Sequence, residues 1–239
     1  MKLKRRLQAI LLAGMMALTA TTAAIPSFTT ISAYGPHGAI VHYAPTPETD
    51  IPLAAKSFLL VDSGGHYLEG TTDITRTIAM GPLTDQEKAM YTAVLRGNLA
   101  LGAARFAHGC SGRNLDVLAR IPLWEQGLDY NHGTGHGVGY LLNVHEGPNS
   151  IRFRASDDPA RTDTTLEAGM ITSNEPGFYL ADHFGIRLEN LTACREDLQN
   201  EYGRFMSLET LTLVPFDRDA VEVSLLSQRE RDLLNAYHQ

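Results

Sequence analysis

Short apolar runs rich in β-branched residues occur at Ser57 to Asp62, Asp73 to Met80, Met170 to Asn174, Gly185 to Leu191 and Leu208 to Val214, gathered toward the two ends of the chain. Such runs read as strands. The long helical patterns lie between the two groups and not after each strand, whereas a parallel sheet needs a crossover connection between neighbouring strands. The arrangement predicts an α+β fold with a mostly antiparallel sheet. Thr84-Asp85-Gln86-Glu87 has the spacing of a capping box and opens a run of good helix formers reaching about Phe106, before His108-Gly109 stops it. A second helix is predicted from Asn114 to about Arg120, where Pro122 ends it or starts a short new one that stops at Gly127. A third is expected from Ser227 to Tyr237.

A chain of 239 residues is long enough for one large domain with a real core. Hydrophobic content of 44% and charged content of 20% argue against disorder and against an integral membrane protein. The net charge is −7, and Lys2, Lys4, Arg5 and Arg6 are the only charged residues among the first 24, so the remainder holds 16 basic against 27 acidic residues, or −11. An acidic body without interleaved basic and aromatic residues makes nucleic acid an unsuitable partner. Two cysteines, Cys110 and Cys194, are too few for a disulfide framework or a thiolate zinc site and read as buried or half-buried thiols.

The amino terminus departs from this pattern. Its basic residues precede an apolar run from Ala9 to Ala20 and small residues to Ala24, the layout of a secretory signal. The competing reading is an amphipathic first helix. The run is shorter than the ~20 residues of a spanning helix, so no permanent membrane anchor is expected.

Carboxylates inside β-branched strands are unusual, and this chain has several. Alternation puts Arg187 and Glu189 on one strand face opposite Ile186 and Leu188, and Asp73, Thr75 and Thr77 on a face opposite Ile74 and Ile78. Asp62 ends an apolar run before Ser63-Gly64-Gly65 and alone would read as a turn-initiating aspartate. Glu175 precedes Pro176-Gly177 and alone would read as the residue before a turn. His136 lies in His132-Gly133-Thr134-Gly135-His136-Gly137-Val138-Gly139, where glycine at alternate places permits close backbone approach and disfavours a helix. His132, His136 and His145 fall within fourteen residues, while His37, His66, His108, His183 and His238 read as ordinary structural or surface histidines.

Asp62, Asp73, His136, Glu175 and Glu189 thus form an oxygen-rich candidate ligand set with no thiolate, suited to Mn²⁺ and less selectively to Co²⁺, Fe²⁺ or Zn²⁺. Four converging carboxylates repel one another unless cations are present. Two divalent ions about 3.5 Å apart can share a bridging water, lower its pKa and polarise a carbonyl.

The stretches Gly38 to Tyr43, Asp62-Ser63-Gly64, Gly70 to Thr77, His132 to Gly139, Asn143 to Pro148, Asn174 to Gly177 and Gly185 to Asn190 resemble, in order, the catalytic domain of aminopeptidase P. This is the Xaa-Pro aminopeptidase branch of the pita-bread metallopeptidases. The resemblance implies a curved, mostly antiparallel sheet covered by helices. It implies that Asp62 chelates one metal, that His136 and Glu175 bind the other, and that Asp73 and Glu189 bridge both. His42, His132 and His145 match substrate-handling histidines, Glu175 also takes part in proton transfer, and Arg187 orients Glu189 or binds substrate. Peptides with proline at the second position are the implied substrate, a homodimer the implied assembly and the cytoplasm the implied location, with export if residues 1 to 24 work as a signal.

By comparison with that family the first helices of the domain are expected to be missing and the carboxyl end to stop early. Residues 1 to 24 then form a signal-like or unrelated segment and 25 to 239 a truncated catalytic domain. The alternative to an active aminopeptidase is an inactive or weakly active fragment acting at most as a binding module. Prolidase, methionine aminopeptidase or creatinase activity on the same fold is a third reading, less like the Gly137 to Pro148 segment and Thr71-Thr72-Asp73.

Overall fold

Every strand pairing among the described residues is antiparallel, as the grouping of the strand-like runs predicts. The computed structural model describes residues 25–154 and 163–239, so the signal-like reading of residues 1–24 lies outside the described residues. The first half contains β1 (Ile25–Pro26), β2 (Ile31–Tyr34), a 3-10 turn at Gly35–Ala39, β3 (Phe58–Ser63), β4 (Gly65–Tyr67), β5 (Gly70–Thr71) and β6 (Ile74–Ala79). Then come α1 (Asp85–Gly102), β7 (Arg105–Ala107) and α2 (Gly112–Trp124). The second half contains β8 (Gly135–Val138), β9 (His145–Ile151), β10 (Ile171–Asn174), β11 (Gly177–Leu180) and β12 (Phe184–Arg187). The hairpin β13 (Asn190–Asn200) and β14 (Gly203–Thr210) follows, and α3 (Gln228–Tyr237) closes the chain.

The largest sheet has the order β7-β14-β13-β10-β8-β9, and β2-β3-β6, β1-β4-β5 and β11-β12 form smaller ones. α1 starts where its capping box predicts: Thr84 Oγ1 accepts from Glu87 N–H at 3.2 Å, and Glu87 Oε2 accepts from Thr84 N–H at 2.8 Å. It buries Tyr91, Val94 and Leu95 against Phe58, Ile186 and Leu188, so the helix covers β3, which carries Asp62, and the end of β12 that leads into Glu189. Among the described residues no helix is long and apolar enough to cross a membrane.

Four boundaries differ from expectation. The run from Leu208 to Val214 is strand only as far as Thr210, where β14 (Gly203–Thr210) ends. α1 ends at Gly102 and not near Phe106, because Arg105 to Ala107 pair with β14. α2 continues through Pro122 to Trp124. The lost N–H is outweighed by packing, since Leu115, Ala119 and Leu123 on one side of the helix are all buried. The single strand expected from Gly185 to Leu191 is two strands, interrupted at Leu188-Glu189. The outer half of the β13–β14 hairpin had no hydrophobic signature, because from Arg195 onward β13 is exposed on both faces.

Candidate metal centre

Pairing of β3 with β6 sets Asp62 opposite Thr75, while Asp73 stands immediately before β6 and Glu189 sits in the break between β12 and β13. That break lets β6 hold Glu189 twice. The Glu189 N–H donates to Thr75 O at 3.1 Å, and Thr75 Oγ1 donates to Glu189 Oε2 at 2.7 Å. The face assignment of Thr77 also agrees, since its hydroxyl donates to Arg187 O at 3.0 Å. Asp62, Asp73 and Glu189 are 8%, 4% and 1% exposed, a burial that carboxylates tolerate only with compensating partners.

β8 brings His136 to the same place. A Cβ at Gly135 would stand 2.0 Å from Ser173 O, so glycine there is what allows β8 to lie against β10. His136 N–H donates to Ser173 Oγ at 2.9 Å, and that hydroxyl donates to Glu175 Oε1 at 3.1 Å. His136 Nε2 lies 3.3 Å from Asp73 Oδ2 and 3.5 Å from Glu175 Oε1. The other ring nitrogen, Nδ1, faces Gly137 O at 3.0 Å, which assigns a proton to Nδ1 and aims Nε2 at the carboxylates, as a donor when the ring is protonated and as a lone pair when it is neutral.

Arg187 is 2% exposed and spans the floor of the site. Its Nη2 donates to Asp62 Oδ2 at 2.7 Å, its Nε to Thr75 Oγ1 at 3.1 Å and its Nη1 to Tyr179 Oη at 3.1 Å. Its direct ion pair is therefore with Asp62, and it reaches Glu189 only through Thr75. Tyr179 Oη in turn lies 2.9 Å from His132 Nε2, whose partner nitrogen Nδ1 faces Gly133 O at 2.8 Å. Arg187 thus donates to Tyr179, and Tyr179 donates to His132. Sequence reasoning did not find Tyr179 or Ser173. The one signal for Tyr179 is Gly177 on the same face of β11: a Cβ there would meet Tyr179 Oη at 2.6 Å.

His145 opens β9 with its ring edge-on to His136, 4.2 Å between centroids, and His42 lies just beyond the 3-10 turn. A single cavity of about 440 Å³ is lined by all nine residues singled out from sequence: His42, Asp62, Asp73, His132, His136, His145, Glu175, Arg187 and Glu189.

Electrostatics test whether this set fits cations. Burial, then the charges of Glu175, Asp73 and Asp62, holds Glu189 well above the ordinary carboxylate range. Burial also raises Asp62 against the Arg187 charge, and pushes Glu175 up to about 7 despite His136 and Arg187. For His136, burial acts downward, but the Asp73 hydrogen bond and Glu175 charge outweigh it and the net direction is up. Burial drives His132 down to about 4, and burial with the His136 charge lowers His145. Among the described residues protein donors leave the cluster incomplete, since Asp62 Oδ1 and Asp73 Oδ1 are buried without a hydrogen-bond partner. Asp73, His136 and Glu189 each offer an atom within 4.8 Å of the others. Oxygen donors with one imidazole lone pair, mutually repelling and partly unpartnered, fit hard divalent cations.

Over 215 residues the chain is 48% identical to aminopeptidase P1 of Lotus japonicus, covering 89% of this chain and 32% of that protein. The crystal structure of X-prolyl aminopeptidase from Caenorhabditis elegans, described as a cytosolic enzyme with a di-nuclear active site, superposes with a TM-score of 0.84 at 40% identity, over 93% of this chain and 35% of that one. Prolidase from Pyrococcus furiosus superposes with a TM-score of 0.65 at 29% identity, over 78% of this chain and 49% of that one. The chain spans about a third of the length of the curated relatives it matches. Its α+β architecture is the pita-bread fold of these neighbours. The model of metallopeptidase family M24 matches residues 2–196 and that of the C-terminal region of peptidase M24 matches residues 204–239. The residues that converge in the cavity all fall inside the first of these matches, and the chain belongs to metallopeptidase family M24.

Proposed function

We propose that this chain carries the metal site of an Xaa-Pro aminopeptidase, hydrolysing the first peptide bond of substrates whose second residue is proline. The observation that carries the reading is the convergence of nine sequence-selected residues in one cavity beside two unpartnered carboxylate oxygens. The proline requirement is supported by the names of the relatives and by the greater likeness to X-prolyl aminopeptidase than to prolidase.

In this reading Asp62 holds one cation, His136 and Glu175 hold a second, and Asp73 and Glu189 serve both, with Mn²⁺ the best match to the donor set. What divalent cations supply when bound is Lewis acidity, toward water and toward a peptide carbonyl. Glu175 takes the proton released by the attacking water and delivers it to the departing proline nitrogen. His145, beside His136, and His132, fixed by Tyr179, stand where donors can stabilise charge on the carbonyl oxygen. His42, at the exposed rim of the cavity, contacts the peptide. Arg187 orients Asp62, and its charge opposes the burial that raises that carboxyl.

The test is to load the full chain with Mn²⁺, measure bound metal by elemental analysis and follow release of the first residue from a short Xaa-Pro peptide. Two cations per chain with turnover is the expected result. Cations without turnover would favour the binding-module reading, and a chain that binds none would remove the metal reading.

A further inference from the structure

Arg76 is 7% exposed and lies on the face of β6 opposite Thr75 and Thr77, away from the cavity. It does not line the site, yet its guanidinium reaches the main chain of that site from behind. Nη1 donates to Glu189 O at 2.6 Å and to Thr75 O at 2.9 Å. Thr75 O is also the acceptor of the Glu189 N–H, so Arg76 clamps both sides of the contact that fixes this ligand. Nη2 donates to Asn190 Oδ1 at 2.6 Å, Val214 O at 2.6 Å and Tyr237 Oη at 2.8 Å, and Nε to Val214 O at 3.2 Å. Phe216 covers the guanidinium at 4.4 Å.

These acceptors are neutral oxygens. A buried guanidinium held only by neutral groups is a costly arrangement unless a nearby negative charge offsets it. Across the strand the Glu189 carboxylate of the candidate metal centre acts on it in that sense, after the hydroxyls of Tyr237 and Tyr91. Two features coincide here: a rigid planar donor fork matched to several carbonyls at once, and its placement directly behind a metal-ligand candidate.

We infer that Arg76 is a positioning residue for the metal centre, fixing the main chain of Glu189 against β6 and tying it to the carboxyl-terminal segment through Val214 and Tyr237. It acts on the cations through Glu189 and touches neither substrate nor metal. The inference rests on the reading of Glu189 as a ligand. Loss of a group that orients a ligand typically lowers metal affinity about 10- to 100-fold.

The experiment measures Mn²⁺ binding to the full chain by calorimetry and elemental analysis for wild type, Arg76→Lys, Arg76→Met and Tyr237→Phe. Met206→Ala, a core truncation in β14 away from the cavity, serves as a control for simple destabilisation. Arg76→Met should lose one cation or bind about tenfold or more weakly. Arg76→Lys should recover only part of that loss, because lysine restores the charge without the fork. Tyr237→Phe keeps Arg76 and removes one of its acceptors, so a smaller loss of affinity in that variant carries the test if Arg76→Met does not fold. Met206→Ala should melt lower and bind Mn²⁺ as wild type does. Wild-type affinity in both Arg76→Met and Tyr237→Phe, or an equal loss in Met206→Ala, would overturn the positioning role while leaving the metal reading in place. A wild-type chain that binds no cation would overturn both.

Discussion

Replacing Glu175 by glutamine should make the metal-free protein more stable at neutral pH while destroying its proposed activity. Burial pushes the Glu175 carboxyl up to about 7 from an ordinary 4.5. At about 1.4 kcal/mol per pH unit, that interval is worth ~3 kcal/mol. A carboxyl whose pKa is raised on folding binds its proton more tightly in the folded chain. Below about pH 4.5 both states are protonated and the group contributes nothing to the difference. Between about 4.5 and about 7 the unfolded chain gives up its proton first, so folded stability falls, and above about 7 the full penalty applies. For a domain of this size ~3 kcal/mol corresponds to roughly 6–12 °C in melting temperature. Glutamine never ionises and keeps an acceptor for the Ser173 hydroxyl, so the substitution removes the charge and leaves that contact in place. Thermal unfolding in chelator should show wild type and Glu175→Gln melting together near pH 4, with the variant higher by that amount near pH 8. Adding Mn²⁺ should raise the wild type more than the variant. A gap that is the same at both pH values, or a variant that melts lower near pH 8, would refute the reasoning.

Asp73→Ala should lose metal and turnover together, since Asp73 lies among the atoms within 4.8 Å that offer a common site. His145→Ala should keep its metal and lose about 10² to 10³ in rate, and loss of metal in that variant would place His145 among the ligands. Peptides with proline second should be cleaved and otherwise identical peptides with alanine second cleaved poorly; comparable turnover of the two would remove the specificity and leave the metal chemistry intact. Gly135→Ala should displace β8 from β10, because its Cβ would fall 2.0 Å from Ser173 O, and metal binding measured beside circular dichroism should show His136 lost from the site; a variant with wild-type metal affinity would show that the strand can yield.

The fold class and the residues that converge in the cavity were legible for one reason: both depend on short-range pattern. Alternation along β6 put Asp73 and Thr75 on one face, and the structure has Thr75 in contact with Glu189 from that face. The glycine run announced close approach, and β8 packs so tightly that a Cβ at Gly135 has no room. What stayed hidden depends on contacts between distant segments. Tyr179 and Ser173 are unremarkable in sequence and matter only because Arg187, His132, His136 and Glu175 are brought to them by folding. Pro122 was misleading for the same reason, since the packing of Leu123 decides the end of α2 and no local rule records it. The break at Leu188-Glu189 was equally invisible, as a strand-like run gives no sign of where its partner changes.

In the proposed reading, the placement of the acidic cluster sets stability against chemistry. Four carboxylates stand at strand ends and breaks, where side chains from β3, β6, β10 and the β12–β13 junction can meet without a helix or turn to screen them. Neutral donors and Arg187 satisfy only part of them, and among the described residues two of their oxygens remain without partners. Filling those positions with more protein donors would stabilise the metal-free fold and would also remove the vacant lone pairs that cations need. In that reading the incomplete satisfaction is the property that lets the site bind, and the cost is carried by the surrounding core of α1, β3 and β12. It follows that chelation should lower stability and activity together, whereas a substitution that neutralises one carboxylate should separate them, raising the first while abolishing the second.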